Sequence, residues 1–150
     1  MGLAALRVGY LLAAPELARE VGKAVLPYNL NAFSQTAAEV AVELYESELK
    51  PTVRRIIEER ERLYDELKSI RGLAPVRSHA NFMVVRTSVE PKQVFRELLA
   101  RDILVRDVSG YPMLRDYFRV SVGKPEENDR LLAALREIFA KKEGGMMNAE

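Results

Sequence analysis

Residues 117–125 read Tyr117-Phe118-Arg119-Val120-Ser121-Val122-Gly123-Lys124-Pro125, and the second half of the chain is read outward from them. Phe118, Val120 and Val122 alternate with Tyr117, Arg119 and Ser121, which is the period of a strand with one apolar face. Pro125 suits the first turn of a helix, and Leu131, Leu132, Leu135, Ile138 and Phe139 recur at helical spacing behind it. Working back, Ile103 to Val105 reads as a further strand. Before it, a helix opened by Pro91 turns Val94, Phe95, Leu98 and Leu99 inward. Asn81 to Val85 and Ala74 to Arg77 are two more strand-like runs. They follow a long helix from Pro51, whose stripe of Val53, Ile56, Ile57, Leu63, Tyr64, Leu67 and Ile70 stops at Gly72. Helix, two strands, helix, two strands, helix is the order of an α+β unit with helices packed on a small sheet.

The region before Pro51 has another character. Val8 to Ala14 is nearly continuous apolar sequence closed by Pro15, as expected of a strand buried on both faces in a parallel sheet of an α/β protein. Leu17, Ala18, Val21, Ala24 and Val25 predict a short helix after Pro15, residues 26–31 an irregular connection, and Ser34 to Tyr45 a helix apolar on nearly all sides and therefore buried. The change at Lys50-Pro51 is the expected boundary. It gives residues 1–50 as the end of one domain, 51–140 as a small domain, and 141–150, with Gly144-Gly145, as a disordered tail.

Composition narrows the function classes. The 150 residues are 48% hydrophobic and 30% charged, with 23 Lys plus Arg against 22 Asp plus Glu, so no net field draws the chain to nucleic acid or an anionic membrane. The chain has no cysteine and a single histidine, which leaves no thiolate chemistry and little for a metal, and suits a reducing, cytoplasmic setting. The first apolar run is broken by Arg7 and Pro15 and is too short to span a bilayer. His79 reads as an exposed turn residue, and Arg54 to Arg62, interleaved with Glu58, Glu59 and Glu61, as a solvated face with ion pairs.

Arg7, Arg106 and Arg119 each interrupt a strand-like apolar run, and a guanidinium there needs an anion. One reading pairs each with a nearby acid such as Asp107, Asp116 or Glu127; the other leaves them for a ligand carboxylate or phosphate, which their planar donor fork fits. Tyr28, in PYNLN, is either an aromatic half-buried beside Pro27 or part of a pocket. Asn81 reads as structural, satisfying backbone groups where a strand opens.

The motifs taken together resemble the histidinol-phosphate aminotransferases, of the class I and II pyridoxal-phosphate aminotransferases of fold type I. MGLAALRVGYLLA is similar to the stretch that follows their cofactor lysine, where an Arg-x-Gly-Tyr strand is matched by Arg7, Gly9 and Tyr10. LPYNLNAFSQTAAEVA resembles the connection and helix that come next. ILVRDVSGYP resembles their Gly-Ile-Leu-Val-Arg-Asp element with Asp102 in place of the glycine, and ANFMVVR and FRVSVGKPEENDRLLAAL complete the set. The likeness runs from about Gly2 to Ala140.

The resemblance implies the C-terminal part of such an enzyme: the last strand and helices of a large cofactor domain, then the small domain. It implies that Arg7 contacts the phosphate of pyridoxal 5'-phosphate. It implies that Arg119 holds the α-carboxylate of glutamate and helps with the phosphate of histidinol phosphate, that Arg106 lies near that phosphate, and that Tyr28 lines the substrate pocket. By motif spacing the Schiff-base lysine falls two residues before Met1, and Lys23 and Lys50, on predicted helices, do not replace it. These residues alone are therefore expected to carry no catalytic group and no covalently bound cofactor. Ala5 stands where the family often has glycine, which is tolerated if the backbone there does not need positive φ. Substrates of the whole enzyme would be histidinol phosphate and glutamate or 2-oxoglutarate, with another amino acid or decarboxylation of a phosphorylated threonine as related alternatives. A reading of a different class is a noncatalytic module or half-enzyme partner. Its uncovered apolar strand and helix would make it self-associate, so a homo-oligomer is expected.

Overall fold

The first helices form where the sequence supplies their ends. The computed structural model describes residues 4–146, with side chains over residues 4–140. Helix α1 spans Pro15–Gly22, with Pro15 at its first position, where the missing N–H is not needed, and Glu16 in the first turn. Helix α2 spans Ala32–Glu43 and is capped by Asn31, whose side-chain oxygen accepts from the Ser34 amide at 2.9 Å. A π-helical turn, Tyr45–Leu49, leads into α3, Lys50–Ser69. The widened turn has a local cause, since the Pro51 ring cannot sit beneath a regular i−4 carbonyl. The helical path therefore passes Lys50-Pro51 without a break. The chain divides into two compact units, Met1–Arg54 and Arg55–Glu150, and the division falls inside α3.

Two expectations for the first unit are corrected. Val8 to Ala14 forms no strand; it is irregular chain after a 3-10 turn at Ala4–Leu6, and Tyr10 and Leu12 are exposed. A strand needs ladder partners, and every strand among the described residues belongs to the sheet of the second unit. The α2 region is not buried either, because Ser34 and Ala41 are its only buried residues while Phe33 is 88% exposed. A helix apolar on all sides needs cover on more than one side, and this unit provides no second layer.

The second unit is the expected α+β arrangement. Strands β1 (Leu73–Pro75), β2 (Phe82–Thr87), β3 (Arg106–Asp107) and β4 (Tyr117–Ser121) form one antiparallel sheet in the order β1-β2-β4-β3. Helices α3, α4 (Pro91–Leu99) and α5 (Pro125–Met146) cover one face. Leu63 and Leu67 of α3, Val94 and Leu98 of α4, and Leu132 and Leu135 of α5 close over Met83, Val85, Phe118 and Val120 in a single core. At about 1.5–3 kcal/mol for each large side chain buried, this cluster is what holds the unit together.

Two boundaries moved. The strand expected at Ile103–Val105 forms its ladder at Arg106–Asp107 instead. Asp102 turns at φ 57 and the Ile103 amide still donates to Leu98 at 3.0 Å, so residues 103–105 complete the helix end and fill the core with Val105 before pairing begins. Helix α5 continues through Met146, into the segment expected as a tail; residues 147–150 lie outside the described residues.

Candidate functional site

Alternation on β4 places Phe118 and Val120 in the core, and Tyr117, Arg119 and Ser121 on the opposite, open face of the sheet. Register then builds a site there. Arg106 on β3 is the direct cross-strand partner of Arg119, and Val84 on β2 flanks Arg119 on its other side. Phe82, two pairs along β2 and so on the same face, reaches across so that its ring centroid lies 4.9 Å from the Arg119 guanidinium carbon.

Two cations facing each other across neighbouring strands repel unless something neutralises them. The three acids that could have done so are engaged elsewhere. Asp107 accepts from the Ser109 amide at 2.9 Å, and Ser109, through hydroxyl and amide, holds that carboxyl below the usual range. Asp116 lies 3.8 Å from Arg86, and Glu127 accepts from the Lys124 amide at 2.8 Å in the first turn of α5. Among the described residues no hydrogen bond or ion pair reaches the side chain of Arg106 or Arg119, and the Nε of Arg119 is buried without a partner. An unpaired buried donor costs about 1–3 kcal/mol, so this placement of Arg119 is held at a cost by the strands around it.

The segment carrying Phe82 is pinned from both sides. Arg60, a buried cation on the otherwise solvated face of α3, donates from Nη1 to the Ala80 carbonyl at 3.4 Å and through Nε and Nη2 to Glu61. The Val122 amide donates to the main-chain carbonyl of Asn81 at 2.9 Å, and among the described residues the Asn81 side chain makes no hydrogen bond, so the side-chain role expected for it is not seen. The aromatic contact of Phe82 and the burial of Arg60 were missed in the sequence. The only available signal was that Phe82 and Arg119 fall on the same face of strands that had to be neighbours.

Arg7 and Tyr28 lie in the first unit and neither is buried. Arg7 follows the 3-10 turn at φ 57 and its Nη1 reaches only the Ala4 carbonyl, at 3.5 Å. The positive φ falls on Arg7 itself and not on Ala5, so the missing glycine is accommodated. Tyr28 is 101% exposed, which overturns the half-buried packing beside Pro27. Lys23, exposed, and Lys50, half-buried, are ion-paired at 2.6 Å with Glu20 and Glu46. A hollow of about 330 Å³, lined in part by Leu104, Ser121, Glu127 and Arg130, adjoins the open end of β4. No helix among the described residues is long and apolar enough to cross a membrane.

The family described as "Aminotransferase class I and II" matches residues 1–135. The chain belongs to that family. Its similarity to a histidinol-phosphate aminotransferase of Aquifex aeolicus (strain VF5) is 44% identity over 137 residues, covering 91% of this chain and 39% of that relative. The chain thus spans well under half the length of the curated relatives it matches. Among solved structures, the histidinol-phosphate aminotransferase of Sinorhizobium meliloti in complex with pyridoxal-5'-phosphate aligns at TM-score 0.73 and 28% identity over 93% of this chain and 38% of that one. The L-threonine-O-3-phosphate decarboxylase of Porphyromonas gingivalis aligns at TM-score 0.77 over 91% of this chain and 43% of that one, with 21% identity, a likeness of fold alone. Helices on a small antiparallel sheet are therefore the aminotransferase form of this segment.

Proposed function

We propose that this chain is the C-terminal, substrate-orienting portion of a pyridoxal-phosphate-dependent aminotransferase that exchanges the amino group between histidinol phosphate and 2-oxoglutarate. The observation that carries the reading is the facing pair Arg106 and Arg119, two cations on the open sheet face with Asp107, Asp116 and Glu127 engaged elsewhere. A site that takes a dicarboxylic amino acid in one half-reaction and a phosphorylated amine in the other needs positive charge able to serve both anions. Arg119 presents a planar fork to a carboxylate, and Arg106, exposed, adds a second charge for the phosphate. The 44% identity to a histidinol-phosphate aminotransferase favours that substrate over a phosphorylated threonine.

The residues present fit one part of the cofactor. Arg7, exposed and tied to no acid among the described residues, has the donor set for its phosphate. Lys23, just past α1, and Lys50, at the start of α3, are each held in an ion pair and supply no free amine for the attachment. When bound, the cofactor supplies an electron sink for the amino carbon, and these residues supply charge and orientation. The 150 residues by themselves then bind anions without transaminating.

Titration with L-glutamate and with inorganic phosphate tests the reading. Arg119→Gln is expected to weaken glutamate at least about tenfold, as loss of one charge-assisted bidentate pair does. Arg106→Gln is expected to weaken phosphate more than glutamate. Unchanged glutamate affinity in Arg119→Gln would overturn the assignment.

A further inference from the structure

We propose that Phe82 is a positioning residue for the substrate carboxylate, a flat support that orients the Arg119 guanidinium while leaving its hydrogen-bonding edge free. The inference rests on the reading of Arg119 as a carboxylate holder and adds to it a residue that reading does not use. Arginines at folded surfaces are commonly fixed by an acid, but an acid here would neutralise Arg119 and compete with the substrate for the same donors. An aromatic face works differently. It attracts the cation through the ring quadrupole, from beneath the guanidinium plane, whereas the N–H donors lie in that plane.

The arrangement on the sheet has this form. The Phe82 ring centroid is 4.9 Å from the Arg119 guanidinium carbon, and no acid pairs with Arg119 among the described residues. The Nε of Arg119 is buried and unpartnered, whereas its two Nη groups are neither buried nor hydrogen-bonded among the described residues and are the donors left for an oxygen. The ring in turn is held by its backbone, through the bonds from Arg60 to the Ala80 carbonyl and from Val122 to the Asn81 carbonyl. Phe82 itself is 37% exposed, and its alternate neighbours Met83 and Val85, not Phe82, form the core. A purely structural phenylalanine would be on their side of the strand.

The test uses the full 150-residue chain with nitrogen-labelled arginine, comparing wild type with Phe82→Leu and Phe82→Tyr. In wild type and Phe82→Tyr the Arg119 Nε–H resonance should carry a ring-current shift and a high order parameter; in Phe82→Leu both should fall. Glutamate affinity should drop about three- to tenfold in Phe82→Leu, on the scale of one cation–π contact, and return in Phe82→Tyr. An Arg119 side chain as ordered in Phe82→Leu as in wild type would overturn the positioning role, whatever happens to binding. No ring-current shift in wild type would overturn it even if Phe82→Leu failed to fold. Failure of the substrate reading shows separately: Arg119→Gln would then bind glutamate as wild type does, with the Arg119 signals still reporting on Phe82.

Discussion

Glu59 shows how a single side chain can fix the mouth of the site to the helices behind it. Its carboxylate accepts from Arg62 at 2.8 Å and from Asn128 at 2.9 Å, and Asn128, buried at the start of α5, also bonds both the amide and the carbonyl of Gly123 just past β4. The Arg62 hydrogen bond, more than any other contact, holds the Glu59 carboxyl below its usual range. A group with a depressed folded pKa contributes stability at neutral pH and loses it as pH falls through that folded value. Glu59→Gln should therefore cost about 1 kcal/mol at pH 7, with the difference from wild type narrowing as pH falls below the ordinary glutamate range and the Glu59 carboxyl takes up its proton. Denaturant midpoints measured from pH 7 to pH 3 check this, and a gap that stays constant with pH would count against it. At this same scale the sequence was partly readable. The open-side placement of Arg119 followed from alternation within one strand. Its aromatic support and its lack of an acid did not, because both depend on the cross-strand register and on where Ser109, Arg86 and Lys124 turn their donors.

Among the elements, those with both a start signal and a packing face were legible, and those relying on one signal were not. Pro91 and Pro125 mark helices whose apolar stripes land in the core, and α4 and α5 begin at those prolines. The apolar run at Val8 to Ala14 had a strand's composition and no partner within the chain, and it formed none. Ile103–Val105 had a strand's composition too, yet the helix end claimed those residues first. The turn that stops α3 is the sharpest case. Gly72 sits at φ +89, and a methyl group there would come within 2.6 Å of the Ser88 Oγ and 2.9 Å of the Phe139 ring. Gly72→Ala should thus destabilise the second unit by about 3 kcal/mol, combining the backbone strain with the crowding of a packed core. A denaturant midpoint within error of wild type would show that α3, β1 and α5 do not meet as described.

For the whole molecule, the two units have unequal means of support. The second unit encloses a core of its own. The first leaves Tyr10, Leu12, Leu26, Tyr28 and Phe33 largely exposed, a large share of big apolar side chains for one short unit to leave in water. The isolated chain is therefore expected to self-associate with rising concentration in sedimentation velocity. A concentration-independent monomer that binds no apolar dye would contradict this. The most direct test of the central claim, that these residues are the substrate-orienting part of an aminotransferase, is to fuse this chain in place of the matching segment of the Aquifex aeolicus relative and assay the chimera with histidinol phosphate and 2-oxoglutarate. Transamination that Arg119→Gln abolishes without removing the cofactor is the expected result. A folded, cofactor-loaded chimera that leaves histidinol phosphate untouched would contradict it.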